Sequence, residues 1–304
     1  MQIAVTGATG FLGRYVVRQL TGAGHRLRCW FRPQSDRDGF QSVAASVEWL
    51  PGQLGDAVAA RQLVHGMDAL VLAAVQWEGP RNRGRGDHGD ESVFFGANLT
   101  GSLQLFQAAV EANVSRCVYI SSCAVHDVIL GDRPLDETHP LWPKSHYGAH
   151  KAALEAYVHS FGLGHGWPIC ALRPTGIYGL AHPPESSRWY DILRLVQRGE
   201  PIASSKGGKE VHALDVARAI ELLLGIDPTV IAGQTYNCYD MYVAEQNVAR
   251  IAKELTRSGS DVSDLNGGPK NQIVTSKLRA LGMTFGGEPL LRQTVRDILH
   301  SITE

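Results

Sequence analysis

The stretch Gln2–Gly13, QIAVTGATGFLG, constrains the fold more than any other part of the chain. Ile3 and Val5 lie in a short β-rich run. Gly7, Gly10 and Gly13 follow at G-x-x-G-x-x-G spacing, and Leu12, Val16 and Leu20 then recur at helical spacing until Gly22 and Gly24 end the pattern. A strand that passes through a glycine turn into a helix is the setting a dinucleotide-binding loop requires. Gly7 permits the tight turn, Gly10 a close approach of pyrophosphate, and Gly13 the packing of helix on strand. The helix N-terminus offers free N–H groups and partial positive charge to the phosphates. The plainer use of such a run is a turn that only packs a βα unit.

Strand and helix signals alternate after it, which argues a parallel sheet covered on both faces. Leu27–Phe31 reads as the second strand, Val47–Leu50 as the third, Ala69–Ala74 as the fourth, Arg116–Ser121 as the fifth and Ile169–Arg173 as the sixth, stopped by Pro174. Ala69–Ala74, ALVLAA, is continuously apolar, as a strand buried on both faces should be. Between the strands, Asp56–His65, Val93–Asn113 and Tyr147–Phe161 read as helices, the last with Ser145 as N-cap. Right-handed crossovers then give a doubly wound α/β fold of the Rossmann type. After about residue 175 the rhythm breaks. Helices are predicted around Tyr190–Gln197 and over Leu214–Leu224, Glu245–Thr256, Ser276–Leu281 and Leu290–Ile302, with a strand at Gln234–Cys238. The expected division is a dinucleotide-binding domain over 1–178, to which about 209–240 return, and a smaller substrate-binding lobe from 179–208 and 241–304.

Hydrophobic residues make up 44% and charged residues 19% of the chain, ordinary for a globular enzyme. A net charge of −1 gives no global reason to expect nucleic acid or an anionic membrane surface; only Arg81, Arg83 and Arg85 form a basic cluster. The longest apolar run, Ala69–Val75, is too short to span a bilayer. Five scattered cysteines without a C-x-x-C pair read as core residues in a reducing compartment. No leader pattern precedes the first strand, so a cytoplasmic location is expected. No metal site is expected either. Gly79–Asp90, GPRNRGRGDHGD, is either a flexible surface loop or a lid over the substrate side.

The residue ending the second strand meets the adenosine ribose. An acid there suits NAD and an arginine the 2′-phosphate of NADP. This chain has Trp30-Phe31-Arg32-Pro33, with no acid until Asp36, so Arg32 favours NADP. An arginine stacked on adenine would instead tolerate NAD as well. Tyr147 and Lys151 sit four apart on one helix face, where an ammonium is expected to lower the phenol's pKa and ready it for proton exchange. The fifth strand ends at Ser121-Ser122, which places a hydroxyl at a carboxyl strand end beside the same substrate oxygen. Arg173 through Gly179, RPTGIYG, includes Pro174, Thr175 and Ile177, expected along the nicotinamide.

These motifs together resemble the extended short-chain dehydrogenase/reductase family, often labelled NAD-dependent epimerase/dehydratase. TGATGFLG at 6–13, LAA at 72–74, Asn98, YISSCAV at 119–125, YGAHK at 147–151, RPTGIYG at 173–179 and VHALDVARAI at 211–220 match in order. SKLRALG at 276–282 resembles the family's closing signature. The resemblance implies Tyr147 as acid/base, Lys151 as its partner and ribose anchor, and Ser122 as the third member of a triad. It also implies Thr9, Phe11 and Leu12 at the pyrophosphate, Leu54, Ala73, Ala74 and Thr175 near the cofactor, and a homodimer built on two sheet-flanking helices. Departures narrow the reaction. Cys123-Ala124 replaces the acidic pair of sugar 4,6-dehydratases, so dehydration is disfavoured. Gly207-Gly208-Lys209-Glu210 stands where sugar-nucleotide enzymes usually carry a diphosphate-binding arginine, and Gln53 replaces the usual acid after the third strand. His126-Asp127 replaces the family's Tyr-Gly.

The expected function is NADP- or NAD-dependent hydride transfer at a carbonyl or hydroxyl carbon of a small molecule. A nucleotide-sugar epimerase with tightly held NAD is the alternative. A non-catalytic sensor fits less well, because Tyr147 and Lys151 are both present. Trp142, His182, Trp189, Tyr190 and His212 are further pocket candidates.

Overall fold

A computed structural model describes residues 1–77, 91–264 and 268–302. The main sheet contains β1 (Gln2–Thr6), β2 (Arg26–Phe31), β3 (Val47–Pro51), β4 (Ala69–Leu72), β5 (Arg116–Ile120), β6 (Ile169–Pro174) and β9 (Gln234–Cys238). Their order is β3-β2-β1-β4-β5-β6-β9, and every neighbouring pair is parallel. Carboxyl strand ends therefore share one edge, with the order reversing between β1 and β4, the place where ligands bind in sheets of this kind.

Alternating side chains feed two cores. Val5, Val71, Val118, Cys170 and Leu172 pack on one face with Val16, Val17 and Leu20 of α1 (Phe11–Gly22) and Val216, Ile220 and Leu223 of α7 (Ala213–Gly225). Leu70, Leu72, Cys117, Tyr119, Ile169 and Ala171 pack on the other, with Leu63 of α2 (Ala57–Val64), Leu105, Phe106 and Ala109 of α4 (Gly101–Glu111), and Leu154 and Val158 of α5 (His146–His159). Each large side chain buried this way stabilises by roughly 1.5–3 kcal/mol, which fixes the register of a sheet with no polar face.

Several boundaries depart from the sequence reading. β4 ends at Leu72; Ala73 and Ala74 leave the ladder because their N–H groups donate to Thr6 Oγ1, both at 3.1 Å. The helix before β5 begins as α3 (Glu91–Phe95) and passes through a π-helical turn at Gly96–Thr100 before α4. α5 likewise continues into a π-helical turn at Ser160–Gly164. Pro174 extends β6 rather than stopping it, paired with Cys238. Three strands absent from the sequence reading, β7 (Gly176–Tyr178), β8 (Gly207–His212) and β10 (Met241–Ala244), form a second sheet with β8 in the middle, so of the stretch expected to return to the main sheet only β9 joins its ladder. α6 (Tyr190–Gln197), α9 (Glu245–Thr256) and α11 (Gly287–Ser301) share a third core of Leu193, Val196, Val248, Ile251, Val295 and Ile298, while α8 (Pro228–Ile231) and α10 (Ser276–Ala280) are short helices on either side of α9 in the chain. The Gly79–Asp90 stretch lies outside the described residues. No helix among them is long and apolar enough to cross a membrane.

One buried ion pair ties α5 to β6. Arg173 Nε donates to Glu155 Oε1 at 2.9 Å and Oε2 at 3.0 Å, and Ser121 Oγ donates to Oε1. Arg173 is 1% and Glu155 0% exposed, so neither charge has water to fall back on. Removing one partner leaves an uncompensated interior charge. Arg173→Met is expected to lower unfolding free energy by about 3–5 kcal/mol in urea titrations, and adding Glu155→Leu should recover most of the loss. An Arg173→Met protein as stable as the parent would contradict the pairing argument.

Candidate active site

The β1–α1 turn carries Gly7, Thr9 and Gly10, and α1 opens with Phe11, Leu12 and Gly13. Gly7 has φ +70°, a conformation that side chains disfavour. A Cβ on Gly13 would fall 2.0 Å from the Gly7 carbonyl oxygen, so α1 meets its own turn backbone to backbone. Among the described residues no side chain caps α1, and no acid lies in its first turn. Its N–H groups and the positive end of its dipole are left for an external anion. These features fit the pyrophosphate of a dinucleotide.

Arg32, directly after β2, is half-buried, with its N–H donated to Ser35 Oγ at 3.0 Å. Leu54 is buried after β3. The neighbouring loop is drawn in by Arg14, a residue the sequence reading passed over. Its guanidinium donates to the carbonyls of Asp38 and Asp36 and pairs with the Asp36 carboxylate at 3.2 Å. Arg37 lies 4.2 Å over the Phe31 ring. Asp36, the first acid after β2, is thus engaged by Arg14 and by His182 at 3.0 Å.

Ser122, Tyr147 and Lys151 come together at the ends of β5 and α5. Ser145 caps α5 by accepting from Gly148 N at 3.1 Å, as expected. Gly148 has no room for a side chain: a Cβ there would lie 2.4 Å from the Ala124 carbonyl oxygen. That close approach presses α5 onto the turn after β5, and the Ser122 hydroxyl hydrogen-bonds Tyr147. Lys151, 2% exposed, donates from Nζ to the Ile120 carbonyl at 2.7 Å and lies 5.8 Å from the Tyr147 ring centre. Trp77 stacks on the Tyr147 ring, centroids 5.3 Å apart and planes at 26°. The main chain before Trp77 is fixed by buried Asn98: Gln76 N donates to Asn98 Oδ1 at 2.7 Å, and Asn98 Nδ2 donates to Gln76 O at 2.8 Å. Thr6, Asn98 and Gly148 therefore build the site from beneath. Their sequence signals were a hydroxyl ending a strand, a polar residue inside an apolar helix stripe, and a glycine inside a helix.

The electrostatics correct one expectation. The Tyr147 phenol is held above its ordinary value, because burial outweighs the hydrogen bond from Ser122. Lys151 moves the other way: burial pushes its amine down to about 7, against the pull of Glu155. Burial, not Lys151, therefore sets the direction of the Tyr147 shift, and the phenol is not made more acidic by its neighbour.

Pro174 ends β6, Thr175 follows it, and Ile177 lies in β7, partly buried against the first core. Among the other pocket candidates, Trp189 and Tyr190 are buried lobe core, and His212 is buried with its Nδ1 accepting from Leu214 N. Trp142 is 49% exposed. Beside Gly176, Arg188 pairs with buried Glu210 at 2.7 Å, a contact between residues whose roles sequence reasoning did not connect.

Three comparisons bear on this geometry. The model of the NAD dependent epimerase/dehydratase family matches residues 3–238. The chain is 29% identical over 158 residues to the dTDP-D-glucose 4,6-dehydratase of Mus musculus, covering 52% of this chain and 44% of that one. It is 30% identical over 185 residues to a 3 beta-hydroxysteroid dehydrogenase/Delta 5→4-isomerase of Mycobacterium tuberculosis, covering 59% and 47%. The chain thus spans about half the length of these curated relatives. The structure of Thermus thermophilus UDP-glucose 4-epimerase in complex with NAD superposes with TM-score 0.76 at 22% identity, over 99% of this chain and 100% of that one. This likeness concerns the fold.

The Lys151 shift has a measurable consequence. The folded amine titrates near 7 and the unfolded one near 10.5, so between these values the unfolded chain holds the extra proton and stability rises with pH. The penalty for burying the charge is full below pH 7. In the cofactor-free protein, Lys151→Met should therefore raise the thermal midpoint most at pH 6, with the gain shrinking steadily as pH climbs past 7. A pH-independent difference between variant and parent would contradict the assignment.

Proposed function

The chain belongs to the NAD-dependent epimerase/dehydratase family, and from that premise we propose that it is a nicotinamide-dependent oxidoreductase that reduces a carbonyl group of a small molecule. The observation that carries this reading is a buried phenol, Tyr147, brought beside the Ser122 hydroxyl and the Lys151 amine at the carboxyl edge of a sheet whose first helix has no side-chain cap among the described residues. Gly7, Thr9, Gly10, Phe11, Leu12 and Gly13 would hold the pyrophosphate, and Lys151 the nicotinamide ribose. Leu54, Ala73, Ala74, Pro174, Thr175 and Ile177 would line the rest. When bound, the nicotinamide supplies or accepts a hydride.

The residues then divide the remaining work. Ser122 and Tyr147 bind the substrate oxygen between them. As the carbonyl carbon gains a hydride, its oxygen gains negative charge, and the Tyr147 O–H delivers the proton that completes the alcohol. Lys151 supplies a proton to restore the phenol. Trp77 keeps water from one face of the phenol ring and so keeps it protonated until substrate arrives. The first 178 residues with about 209–240 would bind the nucleotide, and 179–208 with 241–304 the substrate. Relatives named as a dehydrogenase/isomerase and a dehydratase also act within this family; Cys123-Ala124 offers no carboxylate for dehydration. A homodimer would pair α4 with α5, whose Val110 and Tyr157 are 39% and 44% exposed.

Arg32 supports NADP over NAD, since the site has no acid at the end of β2 to meet the ribose hydroxyls. Absorbance of reduced nicotinamide, followed with a panel of carbonyl compounds and of UDP-sugars, tests the reaction. Net NADPH consumption is expected; retained NAD with isomerised sugar would replace the reading with epimerisation. Tyr147→Phe should lower kcat by about 10²-fold or more while cofactor affinity stays within about twofold of the parent. Arg32→Asp should reverse the NADP/NAD preference, and an unchanged affinity ratio would refute the role of Arg32.

A further inference from the structure

His126 departs from the family's pattern four residues after Ser122, and in the fold it is buried at the end of the turn that carries the Ser122 hydroxyl. That turn, Cys123–Val125, has Ser122 as N-cap and His126 as C-cap, and Ser122 Oγ accepts from Ala124 N at 3.1 Å. The buried ion pair holds it at both ends. At the start, the Ser121 hydroxyl donates to Glu155 Oε1, the oxygen that also accepts from Arg173 Nε at 2.9 Å. At the finish, Arg173 Nη1 donates to His126 Nε2 at 3.4 Å. Between them, the Cys123 thiol donates to the Arg173 carbonyl at 3.1 Å. The middle of the turn is already fixed from α5, where Gly148 meets the Ala124 carbonyl.

The His126 ring is set up to accept. Its Nδ1 faces the Pro140 carbonyl at 3.3 Å, a group with no hydrogen of its own, so the single ring hydrogen belongs on Nδ1 and Nε2 keeps its lone pair for the guanidinium. Burial, helped by the charge of Arg173, pushes the imidazole down to about 4, so at neutral pH the ring is uncharged. His139 packs edge-on against it, directs its own Nδ1 at the same carbonyl at 3.0 Å, and accepts from Leu130 N through Nε2 at 3.0 Å. A buried ion pair is a weak device for stability, since packed apolar residues often do as well. What Glu155 and Arg173 add is direction: charged hydrogen bonds hold their partners at set distances and angles.

We propose that Arg173 and His126 are positioning residues for the proton transfer: the guanidinium, seated on Glu155, grips the turn at Ser121 and at His126 and so sets the Ser122 hydroxyl against Tyr147. This rests on the oxidoreductase reading and adds to it the residues that fix Ser122. Both act through Ser122 rather than on the substrate. Released at either end, the turn is free to swing, and a displacement of about 1 Å at a reacting group costs on the order of 10²-fold in rate.

The test cuts each tie while leaving Arg173 and Glu155 paired. Ser121→Ala removes the first and His126→Phe the second. With NADPH and the carbonyl compound that the parent reduces best, each variant should lose about tenfold or more in kcat, with substrate KM within about threefold and NADPH affinity within about twofold of the parent. Ser121→Thr, which returns the hydroxyl, and His126→Gln, which returns an acceptor to Arg173, should recover kcat to within about threefold of the parent. Unchanged kcat in Ser121→Ala or His126→Phe, or a loss that the restoring variants share in full, would overturn the proposal. Amide hydrogen exchange of the cofactor-free protein gives a readout apart from turnover. Exchange over 121–127 should quicken by about tenfold in Ser121→Ala and in His126→Phe, while β1 and β4 keep the parent's rates. If no carbonyl is reduced, quickening confined to the turn still supports the hold on Ser122 although the oxidoreductase reading falls; exchange at the parent's rate in either variant overturns the proposal.

Discussion

The arrangement depends on one backbone approach: α1 reaches the Gly7–Gly10 turn so closely that at Gly13 only a hydrogen fits against the Gly7 carbonyl. That contact fixes where the helix begins, leaves its first N–H groups uncapped, and sets the Thr6 hydroxyl to receive the two N–H groups that carry the chain away from β4. A side chain at Gly13 would push the helix outward and pull the phosphate end away from the strand edge. The same device recurs at Gly148, where α5 touches the turn after β5. Both close contacts lie on the ligand edge of the sheet, and each brings a chemical group to it: a helix N-terminus in one case, a phenol and an amine in the other.

The second helix shows what this proximity costs. Lys151 and Glu155 enter the interior along α5, and only Glu155 finds a full counter-ion, in Arg173. Among the described residues Lys151 donates to one carbonyl, that of Ile120, and burial pushes its amine down to about 7. Tyr147 is squeezed between Trp77 and His150 and keeps its proton. Burial thus decides both protonation states more strongly than the attraction of one group for the other. The result is a phenol held toward its protonated form, which is what the proposed reduction would require.

The legible parts of the chain are those governed by local pattern. A continuous apolar run identified β4, glycine spacing identified the β1–α1 turn, and the Ser145 cap identified the start of α5. Other parts depend on contacts between residues far apart in sequence. Nothing local separates Gly176–Tyr178 from a loop; it becomes a strand only because Glu210 and His212 lie beside it. The Tyr147–Lys151 spacing revealed the pair but not its electrostatics, because the desolvating groups come from Trp77 and the β5 ladder. Glu210 appeared in the sequence as a charge opposing Lys209, whereas in the fold it is the seat of Arg188, which lies in a different segment. The π-helical turn at Gly96–Thr100, which brings Asn98 to Gln76, had no periodic signature either.

Calorimetric titration of NADPH and NADH into the purified protein and its Gly13→Val variant addresses the central claim most directly. The account predicts saturable one-to-one binding by the parent and at least a tenfold loss of affinity in a variant that remains folded, since about 1.4 kcal/mol of lost contact at the helix N-terminus is a factor of ten. Absence of binding by the parent to either nucleotide, or equal affinity in the folded variant, would contradict it.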